Sequence, residues 1–173
     1  MGVIGTFTEE KLVIGVLISK RKLLGSLREI LKGEFGPIDY ESEVFLFDFS
    51  HYYDREMGTP IYRLFYSFKD LVDPSSLWRI KVTTNKIEER FVVDGGRKVN
   101  LDPGLMALSR FVLASTKESS HRIPLGGGIY GEITLMFERG RFRPVEWTYP
   151  DYRSDRYIGI LGEIREIYRG QIN

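Results

Sequence analysis

His121, Glu132, Lys117, Arg122 and Arg153 are the side chains of this chain whose types could act together on a substrate. A histidine titrates near neutrality and can pass a proton. A carboxylate such as Glu132 can take a proton or orient that histidine, and several cations make a clamp for an anionic group. These residues fall in short turns rich in glycine and aromatics: Thr116 to Arg122, Gly126 to Glu132, and Trp147 to Arg153. In the last of these, Trp147, Tyr149 and Tyr152 are interleaved with Asp151 and Arg153. Such a loop can stack on a base or sugar while Arg153 takes a phosphate. On this reading His121 and Glu132 are the catalytic candidates, with Glu132 or Asp151 orienting the imidazole. Lys117, Arg122, Trp147, Tyr149, Asp151 and Arg153 then bind an anionic small molecule, a nucleotide or sugar phosphate, for hydrolysis or group transfer.

Each assignment has a structural alternative. Lys117 follows a predicted helix, where a cation offsets the dipole. If His121 begins a strand, Arg122 points to the opposite face, and only a loop lets both serve one ligand. Glu132 lies on a strand opposite Ile129, Ile133 and Leu135, which predicts a solvent-facing side chain. Gly126-Gly-Gly128 suits a close backbone approach to a ligand or the mobile start of a hairpin. Trp147 to Arg153 can equally anchor the last helix, with Asp151 and Arg153 paired. Asp48, His51, Asp54 and Glu56 offer oxygen and imidazole donors, but their spacing defines no metal site, and no motif identifies a cofactor.

Composition narrows the classes. The 173 residues carry 25 Lys and Arg against 24 Asp and Glu, so no global field steers the chain to nucleic acid. The basic stretches Lys20-Arg-Lys22 and Arg139 to Arg143 are local. There is no cysteine, which removes disulfides, thiol nucleophiles and thiolate metal sites. No apolar run approaches the roughly 20 residues that span a bilayer. Met1-Gly-Val-Ile-Gly-Thr6 fits the loose N-myristoylation pattern. The expectation is a cytoplasmic protein of one domain over residues 1–173. A non-catalytic interaction or assembly module, with a homo-oligomer as one form, is the rival to a ligand-binding protein, its aromatics then serving as interface anchors.

The elements that must position these residues follow from periodicity. Leu12 to Ile18 is an uninterrupted apolar run between charged flanks, which predicts a central strand buried on both faces. Leu24, Leu27 and Leu31 mark a helix ended by Gly36-Pro37. Ile38 to Phe49 reads as one strand, and Tyr62 to Phe68 as another. Asp73-Pro74 opens a helix with Leu77, Ile80, Thr84, Ile87 and Phe91 inward, ended by Asp94-Gly-Gly96. Lys98 to Leu101 is a short strand. Asp102-Pro103 repeats the capping pattern and predicts a further helix with Leu105, Leu108 and Val112 inward. A hairpin turning at Gly140 follows, then a C-terminal helix capped by Ser154. The fold class is α+β: an antiparallel or mixed sheet, helices mainly on one face, with a ferredoxin-like βαββαβ first part followed by a helix, a hairpin and a C-terminal helix.

Phe35-Gly-Pro-Ile-Asp-Tyr-Glu-Ser-Glu43, Asn100-Leu-Asp-Pro-Gly104, Lys117 to Ile123 and Trp147 to Ser154 together resemble a small prokaryotic domain-of-unknown-function family, numbered four-four-one-six. The resemblance covers nearly the whole chain. It implies a cytoplasmic single-domain prokaryotic protein and no activity. Some relatives carry the label GTP-binding protein. The residues of this chain do not supply a phosphate loop: Gly126-Gly-Gly128 lacks the lysine and leads into a strand. Asn85-Lys-Ile-Glu88 imitates a guanine-reading motif from inside a predicted helix.

Overall fold

A computed structural model describes residues 2–173; the Met1 of the myristoylation pattern lies outside them. In chain order the elements are β1 (Glu10–Ile18), α1 (Leu24–Phe35), β2 (Ile38–Glu41), β3 (Phe45–Leu46), α2 (Asp54–Met57), β4 (Tyr62–Val72), α3 (Leu77–Glu89), β5 (Val92–Val93), β6 (Gly96–Arg97), β7 (Val99–Met106), β8 (Arg110–Ser115), β9 (Ile123–Gly126), β10 (Ile129–Glu138), β11 (Arg141–Pro144) and α4 (Asp155–Ile172). Nine strands form one sheet in the order β11-β10-β8-β7-β1-β4-β2, with β3 on β4 and β9 on β10. Every pairing is antiparallel. The protein is therefore α+β, as the alternation of helical and strand periods predicts.

β1 is central and buried at every position. Its even-numbered residues Leu12, Ile14, Val16 and Ile18 pack with Leu27 and Leu31 of α1 and Leu77, Ile80 and Ile87 of α3. On the other face Val13 packs with Phe65, Phe111 and Leu135 under Tyr157, Leu161, Ile164 and Tyr168 of α4. Helices on both faces are what an unbroken apolar strand requires. They also correct the expectation of helices mainly on one face. The α4 stripe is held in place by its cap: the Ser154 hydroxyl oxygen accepts from the Tyr157 amide at 3.3 Å.

The largest correction concerns Asp102-Pro103. No helix follows it; both residues lie inside β7, and residues 99–115 form the β7–β8 hairpin. The helix expected before the final hairpin does not exist. Leu101, Leu105, Phe111 and Leu113 are buried in a sheet with helices on both sides, so the apolar pattern lacks the alternation that marks a strand. The cap at Asp73 does form, its carboxylate accepting from the Ser75 amide at 2.7 Å. The two Asp-Pro pairs are alike locally and differ only in what surrounds them.

Two further boundaries move. Ile38 to Phe49 is broken because the Ser42 hydroxyl accepts the Phe65 amide at 2.8 Å while the Ser42 amide donates to the Phe65 carbonyl at 3.0 Å. A side chain takes one ladder position, and pairing resumes at Phe45 opposite Arg63. Asp94-Gly95 is the turn of a separate β5–β6 hairpin rather than a helix end, with positive φ at both residues (52° and 75°), the conformation of a tight hairpin turn.

Candidate functional site

The β7–β8 ladder is short. It runs from Met106 opposite Phe111 to Gly104 opposite Leu113 and stops. Beyond that point β7 still pairs with β1 as far as Val99, and β8 with β10 as far as Ser115. The two strands part while each stays anchored on its outer side. Pro103 stands where the ladder ends and has no N–H to extend it. Two residues on, the Leu101 amide donates to Glu88 Oε1 at 2.7 Å, and the Leu101 carbonyl accepts from Lys81 Nζ at 2.8 Å. Both partners come from α3. A buried strand edge needs partners for its polar groups, and here a helix supplies them in place of the missing strand. Burial raises the Glu88 pKa above its ordinary value despite Lys81 and Arg97 nearby.

The parted strands open a cavity of about 730 Å³. One side is lined by Lys81, Asn85 and Glu88 of α3 with Arg97 of β6; the other by Asp102, Glu132 and the Tyr149–Tyr152 segment. At its floor lies Arg63, with only 3% of its side chain exposed. Its Nε donates to the Tyr157 hydroxyl at 2.8 Å, Nη1 to Asp102 Oδ2 at 3.1 Å, and Nη2 to Asp151 Oδ2 at 3.0 Å. Asn100 Nδ2 donates to the other Asp102 oxygen at 2.9 Å. The rings of Phe47, Phe65 and Tyr157 flank the guanidinium at 5.4–5.6 Å. Burial works against the Arg63 charge, but the surrounding groups, Asp102 and Asp151 among them, raise its pKa further still. Tyr152 also lines the cavity; its hydroxyl is buried and has no hydrogen-bond partner among the described residues.

Six of the eight residues singled out from the sequence divide between two pockets, and Arg122 and Arg153 line neither. Lys117, Glu132, Tyr149 and Asp151 line the cavity. His121 and Trp147 line a separate shallow recess with Ser120 and Glu146. Residues 117–122 form a loop rather than a strand start. His121 and Arg122 therefore do converge, and on one atom: Glu132 Oε2 lies 3.0 Å from His121 Nε2 and accepts from Arg122 Nε at 2.7 Å. His121 Nδ1 is 3.1 Å from the Ser119 hydroxyl, and the ring stacks on Trp147 at 5.1 Å. Both imidazole nitrogens are thus occupied. Arg122 also donates to the Lys117 carbonyl at 2.8 Å and to the Tyr149 hydroxyl. Lys117 follows a strand, not a helix; its ammonium donates to the Tyr52 hydroxyl at 3.0 Å and lies 4.4 Å from that ring's centroid.

Three placements differ from expectation. Glu132 is 2% exposed and Ile133 37% exposed, and a register shift between Ile133 and Leu135 goes with Ile129 and Leu135 packing into different cores. Asp151 pairs with Arg63, not with Arg153. The Arg153 guanidinium donates to the carbonyls of Thr148, Val145 and Glu146 at 2.7–2.9 Å, which locks its own loop and leaves no clamp for an anion. Gly126 and Gly127 lie against Trp78: a Cβ on Gly127 would fall 2.8 Å from the ring, so their close approach is to a side chain of α3. His51 pairs with Asp54 at 2.7 Å on the surface, and no cluster of metal-binding geometry occurs among the described residues.

Arg63, Asn100 and Asp102 are the site residues that sequence reasoning missed or misread. Their signal was present. Arg63 shares strand parity with Phe65 and Ser67, so a cation sits on an inward face. Asn100 and Asp102, two apart, share a face once the segment is taken as a strand.

The fold and site define an α+β protein whose antiparallel sheet opens between two strands into a charged cavity. The chain belongs to the family described as Domain of unknown function (DUF4416), whose sequence model matches residues 8–168 and so spans the whole cavity lining. Comparison with curated proteins and with solved structures gives no significant match. No helix of the described residues is long and apolar enough to cross a membrane.

Proposed function

We propose that the chain binds a small organic molecule in the cavity between β7 and β8. The observation that carries this reading is the lining: Arg63, Asp102, Asp151 and Tyr152 line a cavity of about 730 Å³, and the buried Tyr152 hydroxyl has no partner among the described residues. Ligand sites commonly fall between about 300 and 1,000 Å³, with a few polar groups converging among aromatic walls. Buried ion clusters add little to stability, since desolvation offsets their attraction; a cluster beside open space is better explained by a ligand. Binding is favoured over acid/base chemistry at His121, whose ring nitrogens are both engaged and which reaches the cavity only through Glu132. The same lining tells against a highly charged anion. Arg63, Lys81 and Arg97 each face a carboxylate already, at 3.1, 4.0 and 2.7 Å.

The strand order β7-β1-β4-β2, with α1 and α3 on one face, supports describing the first part as a ferredoxin-like unit. One observation favours the second reading, an assembly module. Ile123 and Leu125 of β9 and Ile133 of β10 are 68%, 40% and 37% exposed, and Ile123 pairs beside Gly131 on the same sheet. Asn85→Trp fills the cavity from α3 at a residue that forms no ion pair itself. A thermal-shift screen of nucleosides, sugars, amines and sugar phosphates should give a ligand that stabilises the wild type and not Asn85→Trp. A concentration-dependent dimer in sedimentation, abolished by Ile123→Asp, with no stabilising ligand, would move the conclusion to assembly.

A further inference from the structure

Resting on that reading of the cavity, we propose that its ligand is an organic cation carrying a protonated amine, received at the floor by Asp102, Asp151 and the Tyr152 hydroxyl. Three observations converge. The first is charge. At the floor two carboxylates share one guanidinium, which leaves one negative charge over. The imbalance extends outward: the cavity is lined by six carboxylates and four cationic side chains. Arg122, outside the lining, offsets one of these at Glu132, and the balance is still negative. Lys117, the one lining cation without a carboxylate partner among the described ion pairs, sits on Tyr52 at the rim.

The second observation is the unpartnered hydroxyl. Tyr152 is 2% exposed, and its oxygen has no hydrogen-bond partner among the described residues. A side chain on Gly15, which pairs with Asp102 across β1 and β7, would meet Arg63 Nη1 at 3.0 Å and this hydroxyl at 3.1 Å. The guanidinium, the Asp102 strand position and the free phenol therefore crowd over one glycine. An ammonium has three donors and no acceptor; two carboxylates and a phenol oxygen are the complement. Burial, and with it the charge of Asp102, holds the Asp151 carboxyl above its ordinary range even beside Arg63. A second cation relieves that.

The third observation is the wall. Six aromatic rings line the cavity, Tyr149 and Tyr152 nearest the carboxylates in sequence. Electron-rich ring faces attract a cation that has left water. An inorganic divalent ion has no use for those rings, and the floor carries only two carboxylates.

The test uses three probes of one shape on the full chain: 2-phenylethylamine, 2-phenylethanol and phenylacetate, which are cationic, neutral and anionic at pH 7. Titration calorimetry, or ligand-observed resonance where binding is weak, should show the amine bound at least tenfold tighter than either counterpart. Asp102→Asn should lower that preference tenfold or more. Tyr152→Phe, which keeps the ring and is the safer variant for folding, should weaken the amine several-fold and leave the alcohol unchanged. Equal or tighter binding of the alcohol or the carboxylate, lost in Asn85→Trp, overturns the cation and leaves the cavity reading standing. Binding of no probe, or binding untouched by Asn85→Trp, overturns the cation and the cavity together.

Discussion

Arg63 holds three partners from three separate stretches of chain: Asp102 of β7, Asp151 of the loop before α4, and Tyr157 of α4 itself. Its two carboxylates are not equivalent. Asp151 has 11% of its side chain exposed against 25% for Asp102, and burial raises its pKa above the ordinary 3.8. A carboxyl whose pKa is raised on folding binds more protons folded than unfolded. Its contribution to stability therefore grows as pH falls through the folded-state pKa toward 3.8 and is least above that window. An ordinary salt bridge behaves the opposite way. Asp151→Asn should consequently lose more stability relative to wild type near pH 4 than near pH 7, measured as urea midpoints at both. A deficit that shrinks in acid would mean that Arg63 outweighs burial. Glu132 teaches a related point: His121 and Arg122 both hold it from one loop, and what they converge on is a carboxylate of the fold.

The β7–β8 opening is made by two devices acting at neighbouring positions, a proline that ends one ladder and a helix that satisfies the bared edge. Glu88 is the test of the second. Glu88→Ala removes the acceptor of the Leu101 amide and a partner of Arg97. An unsatisfied buried N–H costs about 1–3 kcal/mol, and loss of that order is expected in chemical denaturation, together with faster exchange of the Leu101 amide. Unchanged exchange at Leu101 would show that the amide finds another partner and that α3 does not hold the opening. Among the elements, those with a solvent face were legible. α1, α3 and α4 show their stripes, and Asp73 and Ser154 cap as expected. β7 and β8 were not, because burial on both faces leaves neither alternation nor a polar stripe to read. Asp102-Pro103 then supplied a false helix start. The split of Ile38 to Phe49 was likewise hidden, since it depends on Ser42 meeting Phe65 across the sheet.

At the scale of the chain, β1 ties the two layers together. It pairs with β4 on one side and β7 on the other, and all nine of its residues are buried. Val16→Asp places an unpaired carboxylate at a fully buried position. That penalty of several kcal/mol is a large share of the about 5–15 kcal/mol by which a domain is stable. The variant should show no cooperative thermal transition; a folded variant with wild-type circular dichroism would contradict the central placement of this strand.

Composition and periodicity determined the α+β class, the buried central strand, the C-terminal helix with its cap and the polar–aromatic stretch before it. These are local quantities: each is set by which side chains recur at which spacing. The tertiary structure decided the site. Arg63, Asp102 and Asp151 lie 39 and 88 positions apart along the chain as pairs with Arg63, and no spacing rule connects them. Whether Asp151 met Arg153 two residues away or Arg63 across the fold depended on which partner was buried beside it, and that is settled only when the strands part and the loop closes over them.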